Sequence, residues 1–213
     1  MKKIMFSDKF GLTEAVLSGR KTQTRRVVSE SLWDKWTEYD DFCGSVGVRG
    51  LNEIGVAVTR EYSDCEKFFL DNSPFKIGEV VAVAQSYHSF YNDECDPRIF
   101  PNGAGWLNKM FVRADLMPHQ IRITYVRVER LQDISDEDCI KEGVREVCVN
   151  NSWGNCASHW EFQIPYEDKL GRTKLLRGTT PREVFAVLID RISGNGVFQS
   201  NPYVFVYDFV LEK

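Results

Sequence analysis

Residues 120–144 read QIRITYVRVERLQDISDEDCIKEGV, and the way this stretch divides decides the fold. Its first half alternates: Ile121, Ile123 and Tyr125 share one strand face, as a period of two requires. Val126 and Val128 fall on the other face, so the apolar phase slips by one between Tyr125 and Val126. A β-bulge produces such a slip, and bulges are common where strands bend around a barrel. The second half predicts a short helix. Ser135 can cap it, Asp136, Glu137 and Asp138 suit its positive end, and Gly143 stops it.

On the C-terminal side, TTPREVFAVLIDRIS (179–193) is the clearest helix. Thr180 and Glu183 form a capping box, Pro181 opens the first turn, and Val184, Phe185, Leu188, Ile189 and Ile192 line the buried side. NPYVFVYDFVLEK (201–213) is apolar on both faces and reads as a buried strand beginning at Pro202. On the N-terminal side, KIGEVVAVAQSY (76–87) reads as a strand with Val81 and Val83 facing one way and Ala82 and Ala84 the other. A short helix is predicted from about Phe10 to Ser18, closed by Gly19. Residues 29–76 and 145–178 lack a sustained period and read as loop insertions, with one strand near IGVAVTRE (54–61) in the first. Residues 88–119 read as mostly loop. With few strands and no repeating strand–helix alternation, a doubly wound sheet is disfavoured. The prediction is one α+β domain over residues 1–213: a small, mostly antiparallel β-barrel with short flanking helices.

The net charge of −4 argues against a protein that coats nucleic acid by bulk attraction, so any anion grip has to be local. The N-terminus has too short an apolar run for a signal peptide, and no stretch approaches the roughly 20 apolar residues of a membrane helix. A soluble, cytoplasmic protein is expected. The six cysteines include no Cys-x-x-Cys pair, so free thiols are expected. Cys148, Cys156 and His159 fit no common zinc spacing; no metal and no cofactor is predicted.

The densest local charge is GRKTQTRR (19–26), which begins at the end of the first predicted helix. Cations are favourable there against the last carbonyls, which accounts for Arg20 and Lys21 without any ligand. Arg25 and Arg26 have an equally plain role as charges that protect an edge strand. On that strand Arg26 shares a face with Thr24 and Arg25 with Gln23, which makes Arg26 the better placed for a ligand.

Four stretches together resemble the ASCH family, whose members have a fold similar to the PUA domain of RNA-modifying enzymes: GRKTQTRR, IGEVVAVAQSY, IRITYVRVERLQDISDEDCIKEGV and FAVLIDRISGNGVFQSNPYVFVYDF. The resemblance implies a five- or six-stranded barrel around a cleft that receives RNA, a nucleoside or a modified nucleobase. It implies ligand contacts from Arg20, Arg25, Arg26, Gln85 and Tyr87, although the family often has an acidic residue at Gln85 and an arginine at Ala84. Some small members are amidohydrolases that remove an acyl group from the exocyclic amine of cytidine. Their proposed lysine, threonine and glutamate correspond to Lys21 as base, Thr24 as nucleophile and Glu142 as acid. A further reading makes the aromatic-rich insertions a surface for a protein partner.

The chemistry sets conditions on the fold. A threonine hydroxyl needs a base, and lysine serves only when neutral. On an ideal strand Lys21 and Thr24, three residues apart, face opposite sides, so the chain has to turn between them if they are to converge.

Overall fold

A computed structural model of the chain describes residues 1–46, 61–90, 103–149, 159–168 and 170–212. The strands are β1 (Lys3–Ile4), β2 (Gln23–Val27), β3 (Val80–Val83), β4 (Gln120–Arg130), β5 (Arg145–Val149), β6 (His159–Glu167), β7 (Thr173–Gly178) and β8 (Tyr203–Glu212). The α-helices are α1 (Leu12–Leu17), α2 (Glu30–Val46), α3 (Cys65–Asp71), α4 (Asp136–Lys141), α5 (Pro181–Ser193) and α6 (Val197–Ser200). Five strands form a mixed sheet in the order β1-β3-β4-β8-β2, and three form an antiparallel sheet in the order β5-β6-β7.

β8 lies inside the larger sheet because it is apolar on both faces: Val204, Phe205, Val206 and Tyr207 are all buried. It pairs antiparallel with β4 on one side and β2 on the other. On one face Tyr203 and Tyr207 meet the rings of Trp33, Phe69 and Phe75. β3 divides its residues as the sequence suggests. Val81 and Val83 enter the main core, while Ala82 and Ala84 pack with Tyr87, Val112 and Met117 in a second cluster. α5 has its complete capping box, with Thr180 accepting from the Glu183 N–H, and buries Val184, Phe185, Leu188 and Ile189. No helix among the described residues is long and apolar enough to cross a membrane.

Three expectations are corrected. The larger sheet is mixed rather than a mostly antiparallel barrel, and the described strands form no closed barrel. Closure would need the outer strands β1 and β2 to pair. β1 is only two residues long, and just beyond it the Arg26 side chain, not a backbone ladder, reaches across to the Met5 carbonyl. Residues 29–76 are not an unstructured insertion but carry α2 and α3. Their apolar positions are mostly aromatic: Trp33 meets Phe69 at 4.9 Å between ring centroids, and Trp36 meets Phe68 at 5.5 Å. Aromatics are weak helix formers, so packing rather than propensity holds this pair of helices. The strand read near IGVAVTRE falls on residues 54–61, which apart from Glu61 lie outside the described residues. Residues 145–178 contain the three-stranded sheet. Pro165 obscures β6, yet β5 reaches only as far as Gln163, so the proline sits where β6 has lost one neighbour.

The bulge in β4 is real but comes earlier than the sequence suggests. Register against β8 shifts between Ile123 and Tyr125, which leaves Thr124 as the extra residue. Tyr125 is consequently turned out to solvent while Ile121, Ile123 and Val126 are buried.

Candidate functional site

α1 ends with Gly19 in the left-handed region, at φ 73°, and the chain then turns before β2 starts. In that turn the Lys21 N–H donates to Ala15 O at 2.8 Å and the Thr22 N–H to Lys141 O at 3.0 Å. Lys21 therefore precedes the strand, which removes the conflict that strand alternation would create with Thr24. Its side chain runs inward, and the residue is 2% exposed.

Glu142, 121 residues further along, closes α4 as its C-cap. Lys21 Nζ donates to the Glu142 main-chain carbonyl at 2.8 Å and to its carboxylate Oε2. Gly143 adopts φ +111°, with the site of an absent Cβ 3.4 Å from Leu12 Cδ2 and 3.9 Å from Lys21 Cδ. The backbone that carries Glu142 thus turns directly against the lysine stem. Thr24, on β2, is also buried. All three residues line a cavity of about 490 Å³ that runs between the Met5–Ser7 segment and the apolar side of α5. Ile192, read as a buried helix position, is 41% exposed and lines this cavity.

Arg25 does not offer its guanidinium to a ligand. Its side chain is 1% exposed and donates to Glu129 Oε1 at 2.7 Å, Asp138 Oδ2 at 2.9 Å, Glu142 Oε1 at 3.3 Å and Gln23 Oε1 at 2.5 Å. Behind it, Arg127 binds Glu129 at 2.8 Å, Asp138 at 2.5 Å and Asp208 at 3.4 Å. The result is a lattice of ion pairs, buried at Lys21, Arg25 and Glu142 and half-buried at Arg127, Glu129, Asp138 and Asp208. The exposed Lys141 joins it at Asp138, and Lys21 and Glu142 stand at the end that meets the cavity. Arg26, on the Thr24 side of β2, donates to Met5 O, lies over the Phe6 ring and lines the cavity.

Burial pushes the Lys21 pKa below its ordinary value; the Glu142 carboxylate pulls it back up, and the charges of Arg26 and Arg25 push it down again. The net shift is downward, which makes the proton easier to lose than from an ordinary lysine. Burial acts against the Asp138 carboxylate, but the hydrogen bond and charge of Arg25, then the charge of Arg127, hold its pKa below the usual range. Burial pushes the Cys139 thiol, on α4, up to about 12, so it is inert at neutral pH.

Three residues tied to the ligand by resemblance lie elsewhere. Arg20 is exposed and donates to Ser18 Oγ at 3.1 Å, apart from the cavity. Gln85 Oε1 accepts from His119 Nδ1 at 2.8 Å, and the residue lines a second cavity of about 420 Å³ with Thr13 and Ser86. Tyr87 lines neither cavity: it is 2% exposed in the second core cluster, and its hydroxyl accepts from the Arg113 N–H at 2.8 Å. Conversely, sequence reasoning missed Glu129, Asp138, Arg127 and Asp208 as the support of the site. Arg127 and Glu129 alternate with valines on β4 and so look like a solvated face. The one available signal was Asp208, a lone charge inside the run YVFVYDFV that is otherwise apolar on both faces.

Among the described residues no cluster of three or more His, Cys, Asp or Glu side chains is arranged to hold a metal ion; Cys156 lies outside them. No family model, curated protein or solved structure matches the chain.

Proposed function

We propose that the cavity beside β2 binds an acylated, nucleoside-sized substrate and hydrolyses its amide, the reaction of the small ASCH amidohydrolases that the sequence resembles. The observation that carries this reading is the hydrogen-bonded contact of Lys21 with Glu142 in the wall of a cavity that Thr24 also lines. Neutral Lys21 takes the Thr24 Oγ1 proton as that oxygen attacks the amide carbonyl. The tetrahedral intermediate collapses, the C–N bond breaks, and a proton delivered through Glu142 leaves with the amine. Water then cleaves the threonine ester, with Lys21 again as base, and releases the acid. Arg25 acts as a positioning residue, because it holds one Glu142 oxygen while Lys21 holds the other.

A phosphate grip on RNA has less support, because Lys21 and Arg25 already neutralise carboxylates. A sticky aromatic surface on the first insertion has less too, since Trp33, Trp36, Phe68 and Phe69 pack on one another. In the second reading, recognition of a nucleoside without turnover, the Lys21–Glu142 ion pair is held for stability alone.

The test is incubation of the purified protein with N4-acetylcytidine, following release of cytidine across roughly pH 6 to 9. Wild type should turn it over with a rate that rises with pH as Lys21 loses its proton. Lys21→Met, Thr24→Ala and Glu142→Gln should each lower kcat by on the order of 10²–10⁴-fold while remaining folded. Intact substrate throughout that range, with cytidine still bound, would leave recognition alone.

A further inference from the structure

The cavity meets β2 at four consecutive residues, Thr24, Arg25, Arg26 and Val27. A strand face presents every second residue; an edge presents them all. β2 is the outer strand of its sheet, so its edge is available.

The ladder shows which backbone groups point outward. The Phe209 N–H donates to Thr22 O at 2.9 Å and the Val28 N–H to Tyr203 O at 3.0 Å. These two bonds flank a register that sets Thr24 opposite Tyr207 and Arg26 opposite Phe205. In an antiparallel pair, alternate residues exchange both bonds with the partner strand. Thr24 and Arg26 therefore bond to β8, and the N–H and C=O of Gln23, Arg25 and Val27 point away from the sheet. At the Gln23 end the edge is shut, with Gln23 0% exposed. Arg25 is different. Its side chain is 1% exposed and committed to carboxylates, whereas the residue as a whole is 5% exposed, so main chain is what it shows to the cavity. Among the described residues its N–H and C=O have no hydrogen-bond partner.

We infer that the main chain of Arg25 reads the ligand's base, its N–H donating to a ring nitrogen and its C=O accepting from the neighbouring exocyclic N–H. This is the amidine edge shared by 4-aminopyrimidines and 6-aminopurines. A residue of a partner strand offers that same adjacent acceptor and donor, which is why an outward-facing strand residue suits a base edge. The inference rests on the nucleoside reading above and specifies how the base is chosen. An amine that carries one acyl group keeps one N–H to donate, and that amide then lies one residue from Thr24. The next outward residue, Val27, is roughly 7 Å away, so the open edge is too short for a strand of peptide and long enough for one base.

The experiment uses the full chain with 15N-labelled arginine, titrated with cytidine, adenosine, 3-deazacytidine and 1-deazaadenosine. The Arg25 amide proton should move downfield with whichever parent nucleoside binds, which also separates pyrimidine from purine. The matching deaza analogue, lacking the ring acceptor, should bind about tenfold or more weakly and leave that amide unmoved. Equal binding of parent and analogue, an unmoved Arg25 amide on binding, or no nucleoside binding at all would overturn the inference. So would an extended peptide that shifts both Arg25 and Val27 where nucleosides do not. If discrimination holds but N4-acetylcytidine is not cleaved, the hydrolytic reading alone fails; if cleavage occurs equally on the acylated deaza analogue, the base-reading inference alone fails.

Discussion

Replacing Glu142 with glutamine would strip the counter-charge from a buried ammonium. Lys21 Nζ would keep the neutral Glu142 carbonyl at 2.8 Å, and the charges that act on it most strongly after that are Arg26 and Arg25, both repulsive. Its cheapest response is to lose the proton. Keeping a lysine neutral at pH 7 against an unfolded pKa near 10.4 costs about 4–5 kcal/mol, at 1.36 kcal/mol per unit. Part of that cost already exists in the wild type, where burial holds the Lys21 pKa down. The expected loss is about 3 kcal/mol, at the lower end of what breaking one partner of a buried pair costs. Its pH dependence is distinctive. Between the depressed folded pKa and the ordinary unfolded one, the unfolded chain binds the extra proton, so stability rises with pH. The deficit of Glu142→Gln should thus shrink, by up to about 1.4 kcal/mol per pH unit, from about pH 7 up to the wild-type folded pKa of Lys21, above which both proteins gain stability at the same rate and the deficit is constant. Urea unfolding followed by tryptophan fluorescence over that range measures it, with an unchanged m-value as the control. The Lys21→Met/Glu142→Gln double variant, which buries no charge at this point, should be more stable than Glu142→Gln alone. A deficit below about 1 kcal/mol at pH 7, or one that stays constant with pH, would show that the lysine is not an isolated cation in the variant and would refute the reasoning.

Gly143→Ala should lower stability by about 1–3 kcal/mol, mainly from backbone strain at φ +111°, because the added methyl makes only ordinary contact with Leu12. Thermal unfolding checks this, and a loss under about 0.5 kcal/mol would mean the turn relaxes at no cost. Asp138→Asn tests the charged lattice from the acid side. The depressed Asp138 pKa contributes stability above the ordinary carboxylate range that is lost as pH falls through the folded pKa. The variant should therefore be less stable than wild type at neutral pH and lose less on acidification to about pH 3; parallel acid limbs would contradict the lattice.

What could be read from the sequence and what could not divide along one physical line. α5, α4 and the strands β3, β4 and β8 announce themselves by local signals: a capping box, a cap with three acids, alternating valines, a run apolar on both faces. α2 and the sheet of β5, β6 and β7 do not, because their order comes from partners distant in sequence. Trp33 needs Phe69, and β5 needs β6 across residues outside the described set. The site followed the same rule. Lys21 and Thr24 sit in one octet and Glu142 at a helix end that can be recognised. That Arg25 would be spent on Glu129 and Asp138 depends on β2 meeting β4 across β8, which no local pattern states. Tyr87, a plausible ring for stacking, is instead a core residue because Gly105 and Val112 close over it.

Among the described residues the absence of closure and the presence of a cavity are one fact. Edge strands are usually protected by charges that point outward, and the pair Arg25–Arg26 looked suited to that. In the structure Arg25 turns its guanidinium in toward carboxylates and Arg26 reaches across to Met5 O, so neither shields the edge with a solvated charge. Protection comes from cover: the C-terminal end of α4 meets Thr22, and α5 and the Met5–Ser7 segment form the walls. Had β1 run on to pair with β2, the outward backbone of Arg25 would have been consumed by a ladder and the space before Thr24 filled. A sheet left open there, with the Arg25 guanidinium and Glu142 buried behind it, gives a donor and an acceptor fixed in the same cavity wall as Lys21, Thr24 and Glu142, at no cost in reorganisation when a ligand arrives.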